Sequence, residues 1–254
     1  MCCFSGTQIV EEVKNTRIFA RLGASGNQTL IYSMSMRAKE DVAMVLPIPV
    51  KADTHEDAVR FFDFSGYADV FEDLHQSFPT AAVTYAGPFG TAPRSTRSAQ
   101  LKVVAVGAYE ASFVPSIADF TRLDSRFRLP DAVWSKLPGY THFGFAVFKL
   151  RKGRHDVHPM AFSFPTGRPG SVFFPTLHIH DGKVHENEDF DHTLYLQGQN
   201  LQMSNQWEES KGMAVQKVKC GLTHGMIRPE MHVYRRTIRG NFPNGDIVVK
   251  PTAS

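Results

Sequence analysis

Apolar residues fall in short runs separated by turn residues, and this spacing constrains the fold more than any other feature of the sequence. The runs recur about every 8–12 residues, and the longest, such as VAMVLPIPV at 42–50, are about half of the roughly 20 residues that a membrane span needs. Runs of this length, bounded by Gly, Pro, Asn and Asp, are typical of antiparallel strands. We therefore predict an α+β fold, predominantly antiparallel β, with a few short helices.

Individual segments sharpen this prediction. In TLIYSMSM (29–36) alternate residues share a face, which places Leu30, Tyr32, Met34 and Met36 together. The strongest helical pattern lies within 55–78, where EDAVRFF and YADVFEDLHQSF are separated by Ser-Gly. The polar, Gly/Pro/Ser-rich stretch GPFGTAPRSTRSAQ (87–100) predicts a long loop that acts as a hinge.

Length and charge limit the class of protein. The chain has 254 residues, 42% of them hydrophobic, so one globular unit over 1–254 is expected. The net charge of +3 is not concentrated in any Lys/Arg block, so no nucleic-acid partner is expected. The N-terminal residues carry neither a basic region nor an apolar core of a signal peptide. Without a leader or a span, we expect a cytoplasmic protein.

Two stretches of the chain align with each other. Residues 31–50 and 144–166 each contain an apolar strand, a charged turn and an apolar strand with a Pro-containing end. An old duplication would give two related β-rich halves, 1–86 and 101–254, joined by the loop 87–100. Two hairpins of similar composition would produce the same alignment.

The sequence TLHIHDGKVHENEDFDH (176–192) concentrates histidines around a turn signal. Asp181-Gly182 predicts a two-residue β-hairpin, because both central positions of a type I′ turn need positive φ. In that register His178 lies opposite His185, and His180 projects from the same face. Three histidines with an open position are typical of catalytic metal sites.

We therefore predict His178, His180 and His185 as ligands of a divalent transition metal, Zn, Fe or Cu. Such a site would activate a bound water or O₂. Acidic residues follow directly in the sequence and would supply a fourth ligand or support the histidines. A hairpin that is merely polar is the alternative interpretation of the same residues.

The N-terminus suggests a second chemistry. Removal of Met1 would leave Cys2 with a free α-amine, whose pKa near 8 would allow it to act as a general base for its own thiol. This is the arrangement of N-terminal-nucleophile amidohydrolases, and Arg17 or Arg21 would orient a carboxylate or an oxyanion. We take Cys2 and Arg21 as the catalytic candidates. Small apolar residues packed at a terminus are the alternative.

Several motifs resemble those of an uncharacterised bacterial family of unknown function. They are an N-terminal Cys, AMVLPIPV (43–50), VGAYE (106–110), RLP (128–130), Tyr140, GFAVFKL (144–150) and HPMAFSFPT (158–166). The resemblance covers roughly 1–50 and 101–175. It implies a single β-rich unit with few helices, and it implies no catalytic residue.

Three functions follow from these residues. The leading hypothesis is a metal-dependent enzyme or metal-binding protein that acts on a small molecule or a peptide. The second is an amidohydrolase with Cys2 as its nucleophile. The third is a non-enzymatic module that binds a ligand or a protein.

Overall fold

The computed structural model of the chain describes residues 3–5, 10–79, 101–198, 201–250 and 252–253. Sixteen strands and two short α-helices are formed in these residues. The strands are β1 (Cys3–Phe4), β2 (Val10–Leu22), β3 (Asn27–Ala38), β4 (Val42–Ile48), β5 (Arg60–Asp63), β6 (Val103–Val106), β7 (Tyr109–Val114), β8 (Gly144–Leu150), β9 (Gly153–Pro165), β10 (Val172–Phe174), β11 (Asn187–Gln197), β12 (Leu201–Gln202), β13 (Glu208–Glu209), β14 (Tyr234–Pro243), β15 (Ile247–Val249) and β16 (Thr252–Ala253). The helices are α1 (Val70–Gln76) and α2 (Asp131–Trp134). Short 3₁₀ turns at 56–58, 65–67, 117–122, 125–127, 138–140, 214–216 and 220–222 connect them.

The strands build two large sheets. The seven-stranded sheet has the order β13-β14-β11-β2-β3-β9-β5, and the five-stranded sheet has the order β1-β4-β8-β7-β6. Two small sheets pair β10 with β15 and β12 with β16. Among the strands described, β11 and β2 run parallel while the other pairs are antiparallel. The predicted fold class is therefore confirmed.

The main core lies between the two large sheets. The predicted face of β3 contributes side chains that are at most 2% exposed, Leu30, Tyr32, Met34 and Met36. Met44 and Phe148 of the five-stranded sheet belong to the same buried cluster. The shared face predicted for β3 is thus confirmed, because these four side chains enter one cluster while Ile31, on the opposite face, enters another.

Both sheets are also covered on their outer faces. Phe145 of β8 packs against Phe120 and Trp134, with ring centroids 5.0 and 4.9 Å apart, so α2 and the turn 117–122 cover the five-stranded sheet. Ile31 of β3 belongs to a third cluster, which includes Phe71 of α1 and part of the segment 210–233. The strands near the core are consequently buried on two sides.

The prediction of a helix across 55–78 is only partly right. Residues 70–76 form α1, but Arg60–Asp63 form the edge strand β5 paired with β9. Phe61 explains the difference, because its ring packs edge-on to Phe148 at 5.6 Å and lies 6.0 Å from Phe162. Partial burial of this ring and pairing with the edge of the sheet outweigh a local helical preference.

The predicted loop 87–100 lies outside the described residues. The division into halves 1–86 and 101–254 stays a prediction, as does the duplication. No helix in the described part of the chain is long and apolar enough to cross a membrane.

Candidate functional site

The histidine-bearing segment after β10 is held by the side chain of Asn244, which lies just after β14. Asn244 Oδ1 accepts a hydrogen bond from the backbone N–H of His178 at 2.8 Å. Its Nδ2 donates to the carbonyls of His178 at 2.9 Å and His185 at 3.1 Å. One amide side chain therefore takes the place of a strand partner for this segment.

Asp246 fixes the start of the same segment. Its carboxylate accepts hydrogen bonds from the backbone N–H groups of Thr176 at 2.7 Å and Leu177 at 2.9 Å, and from the hydroxyl of Tyr140 at 2.7 Å. Burial raises the pKa of Asp246 to about 6 and outweighs the three hydrogen bonds, which act in the opposite direction.

These contacts explain why the predicted hairpin is wrong. Gly182 has a φ of +76°, but Asp181 is not among the described residues with positive φ, so the type I′ turn does not form, and residues 175–186 contain no strand. The backbone of His178 is already bonded to Asn244, and Ile179 forms a parallel bridge to Cys3 of β1. Main-chain groups committed in this way cannot also pair across the Asp181-Gly182 turn.

The structure separates the three predicted ligands. His178 and His180 stack with ring centroids 5.5 Å apart, and His178 is fully buried. The side chain of His185 is 49% exposed and pairs with Asp181 through Nε2 at 3.1 Å. In place of His185, His192 of β11 stacks on His178 with centroids 5.2 Å apart.

Aromatic rings surround this buried group, which we call the histidine cluster (His178, His180 and His192). The ring of Phe190 lies 4.5 Å from that of His178, and the ring of Phe4 lies 5.8 Å from that of His180. The packing is that of a hydrophobic core in which imidazoles stack with phenyl rings.

The imidazoles of the histidine cluster are neutral. Burial lowers the pKa of His178 to about 2 and that of His180 to about 4, and it holds the pKa of His192 well below its ordinary value. The Oε2 atom of Glu188 lies 4.0 Å from His178 Nδ1, and burial raises the pKa of that carboxyl. A neutral imidazole in apolar surroundings contributes packing rather than charge.

Metal binding by this segment is a wrong prediction. Across the described residues, no group of three or more His, Cys, Asp or Glu side chains is placed to hold a metal ion. His185 points to Asp181 on the surface, so the facial set of His178, His180 and His185 does not form. The expectation of Zn, Fe or Cu depended on that set and is not carried forward.

Of the two catalytic candidates, Cys2 and Arg21, the structure describes Arg21, whose guanidinium binds backbone carbonyls. Arg21 Nε donates to the carbonyl of Met226 at 2.8 Å, and its Nη2 donates to that of Gly225 at 3.0 Å. Both donors hold the segment after the turn 220–222 against β2. Cys2 lies outside the described residues, so the pair of Cys2 and Arg21 stays a prediction.

The next residue, Cys3, is fully buried in β1, which pairs with β4. The backbone N–H of Phe4 donates to the carbonyl of Ile179 at 2.9 Å. The first described strand therefore lies between β4 and the histidine-bearing segment.

Sequence reasoning missed Asn244, Asp246 and His192. The tripeptide Asn244-Gly245-Asp246 carries a signal, since Asn-Gly is a strong turn dipeptide and Asn and Asp side chains bond nearby backbone groups. Nothing local indicates that this turn meets a segment about 66 residues earlier in the chain. His192 follows the acidic residues of this stretch in the sequence, and its position in β11 buries it.

The fold is similar to that of a viral protein of known structure. The crystal structure of baculovirus P35 matches with a TM-score of 0.52 and 12% sequence identity, covering 100% of this chain and 100% of that one. A mutated baculovirus P35 after caspase cleavage matches with a TM-score of 0.50 and 12% identity, covering 94% of this chain and 100% of that one. At this identity the likeness shows a shared β-rich architecture.

No protein-family model matches the chain, and no curated protein matches it either. The resemblance to a bacterial family of unknown function therefore stays a prediction.

Proposed function

We propose that this protein is a protein-binding module whose partner is a protease. The observation that carries the proposal is the fold likeness to baculovirus P35, which extends over the full length of both chains. One of the matching P35 structures was determined after cleavage by a caspase. The proposal is an analogy at the level of the fold, since one fold carries many functions and the binding site decides the partner.

The chemistry of the described residues supports a scaffold rather than a reaction centre. The histidine cluster is buried and neutral, and Asp246 is saturated with hydrogen bonds from Tyr140, Thr176 and Leu177. Arg21 holds two backbone carbonyls. Asp246 and Arg21 each hold a segment that lacks regular strand pairing, which is a structural role.

The direct experiment is inhibition titration. A caspase, the protease class with which P35 was cleaved, is mixed with increasing amounts of the purified protein, and residual activity is followed with a fluorogenic peptide. Residues 80–100 carry two arginines and no acidic residue, so a protease selective for basic residues is tested in parallel. We expect activity to fall to completion near one equivalent, with a complex that co-elutes in size-exclusion chromatography.

The position of any cut separates docking from digestion. Mass spectrometry of the mixture should find at most one early cut, outside the paired strands. Cuts within β2 or β11 would indicate degradation, because each of those strands has a neighbouring strand on both sides in the seven-stranded sheet. Unchanged protease activity in excess protein, with no complex for any protease, would refute the proposal. Steady hydrolysis of an amide by the protein alone would favour the Cys2 hypothesis instead.

A further inference from the structure

The segment 210–229 forms a fixed, irregular surface over the seven-stranded sheet. It is anchored by buried side chains that belong to the third cluster, Ala214, Val218, Met226 and Ile227. Its backbone is tied at both ends, because Lys211 N–H donates to the carbonyl of Ser77 at 3.2 Å and Val215 N–H donates to that of Pro229 at 3.2 Å. The outward-facing side chains are therefore presented in a defined arrangement.

Large apolar side chains are exposed on this segment. Met213 is 46% exposed, Val215 is 59% exposed and Leu222 is 51% exposed. In the described part of the chain six large hydrophobic residues are at least 38% exposed, and these are three of them. Scattered exposure is ordinary, but a concentration on one anchored segment is typical of an interaction surface.

The charged side chains of the segment itself are basic, and two of them face neighbouring carboxylates, Lys219 that of Asp73 and Arg228 that of Glu230. Residues 210–229 contain Lys211, Lys217, Lys219 and Arg228 and no acidic residue. Considering only described residues, neither Lys211 nor Lys217 has a carboxylate within salt-bridge distance. Lys219 is 3.9 Å from Asp73, and its side chain is 62% exposed. Lys211 and Lys217 are thus available to an acidic partner.

A small cavity lies beside this surface. It has a volume of about 80 Å³ and lies between the end of α1 and the start of the segment, lined in part by Phe78, Lys211, Met213 and Lys217. Apolar side chains and lysines thus line the same cavity, a combination suited to an apolar side chain that has acidic neighbours.

We infer that residues 211–222 form a docking surface for an acidic protein segment, whose apolar side chains cover Met213, Val215 and Leu222. Carboxylates of the partner pair with Lys211 and Lys217. The inference goes beyond the proposed protease, because any protein that carries such a segment fits the surface.

The test uses a short synthetic peptide in which Glu alternates with Leu and Phe, and a control peptide with Gln at every Glu. Binding is measured by fluorescence anisotropy, and the contact is mapped by amide chemical shifts of the isotope-labelled protein. We expect the acidic peptide to shift amides of 211–222 and the Gln peptide to bind about tenfold more weakly.

Charge reversal gives the matched control. The double variant Lys211→Glu/Lys217→Glu should weaken binding by about tenfold or more. Lys51→Glu/Lys136→Glu makes the same change in net charge at two exposed residues elsewhere and should change affinity by less than about twofold. Val215→Ser should weaken binding without changing its salt dependence.

Three results would overturn the inference. They are equal loss of affinity in both double variants, amide shifts centred outside 211–222, and absence of binding at the highest soluble peptide concentration. Circular dichroism confirms that each variant is folded, which is expected for exposed substitutions. Loss of protease inhibition alone would bear on the proposed function and leave this surface unaffected.

Discussion

Acid should destabilise the protein through the histidine cluster. Burial depresses the pKa of His178 and His180 in the folded chain, whereas the ordinary value of 6.5 applies when the chain is unfolded. Below that value the unfolded chain binds more protons than the folded chain. Stability is therefore complete at neutral pH and falls as the pH drops through the window from about 6.5 to about 4.

The magnitude follows from the two pKa values. At about pH 5, a histidine with a folded pKa of about 4 or about 2 lowers the free energy of unfolding by about 2 kcal/mol relative to neutral pH. His178 and His180 together account for about 4 kcal/mol, a large part of the roughly 5–15 kcal/mol that stabilises a domain. His192 adds to the loss in the same direction.

Urea denaturation at neutral pH and at about pH 5 measures this difference directly. The variant His180→Gln removes one titrating ring, so its acid-induced loss should be smaller than that of the wild type by about 2 kcal/mol. His142→Gln changes an exposed histidine and is the matched control. If His180→Gln lost as much stability between the two pH values as the wild type, the reasoning would be refuted.

Three further variants test the contacts that position the irregular segments, with thermal unfolding as the common readout. Arg21→Ala removes two hydrogen bonds to backbone carbonyls and should cost about 2 kcal/mol, whereas Arg37→Ala, at a 59% exposed side chain, should cost less than about 1 kcal/mol. Asn244→Ala leaves the backbone of the buried His178 unpaired and should cost about 3 kcal/mol, with Asn244→Asp intermediate because the acceptor is retained. Tyr67→Phe loses the hydrogen bond to a carboxylate at 2.6 Å and one from a backbone N–H at 2.9 Å, and should cost about 1–2 kcal/mol. A melting temperature within error of the wild type in any of Arg21→Ala, Asn244→Ala or Tyr67→Phe would contradict the assigned contact.

The sheets were predictable because their signal is local. Alternation in β3 identifies its buried face, and the apolar run 42–50 marks β4, which is buried on both faces. The pairing of these strands is not local. β2 lies between β3 and β11, and residues 192–197 align in parallel with residues 16–21. No periodicity in one sequence specifies a partner about 175 residues away.

The histidine segment shows how a partly correct local signal leads to a wrong site. The chain bends at Asp181-Gly182, where the Asp181 side chain accepts a hydrogen bond from the Lys183 N–H at 3.0 Å, but only Gly182 has the positive φ of the predicted turn. The strands that should flank the turn are absent from residues 175–186, since Asn244 and β1 take their main-chain partners. Facial placement of His178 and His185 depended on that pairing, and it fails once the backbone bonds are formed elsewhere.

The two networks that hold the segment 176–180 respond to acid in opposite directions. The pKa of Asp246 is raised to about 6 in the folded chain, whereas its ordinary value is 3.8. As the pH falls, the folded carboxyl is therefore protonated before the unfolded one. This adds about 1 kcal/mol to the free energy of unfolding between neutral pH and about pH 5. His178 and His180 each lower the free energy of unfolding by about 2 kcal/mol over the same interval. The histidines outweigh the carboxylate for two reasons. There are two of them, and their protonation in the unfolded chain begins near pH 6.5, above the pKa of about 6 at which the folded Asp246 takes up its proton. Since the Ile179 carbonyl also accepts from Phe4, loosening of this segment by acid removes a hydrogen-bond partner of β1. The contact between β1 and this segment is therefore stable at neutral pH and weakens as the buried imidazoles become charged.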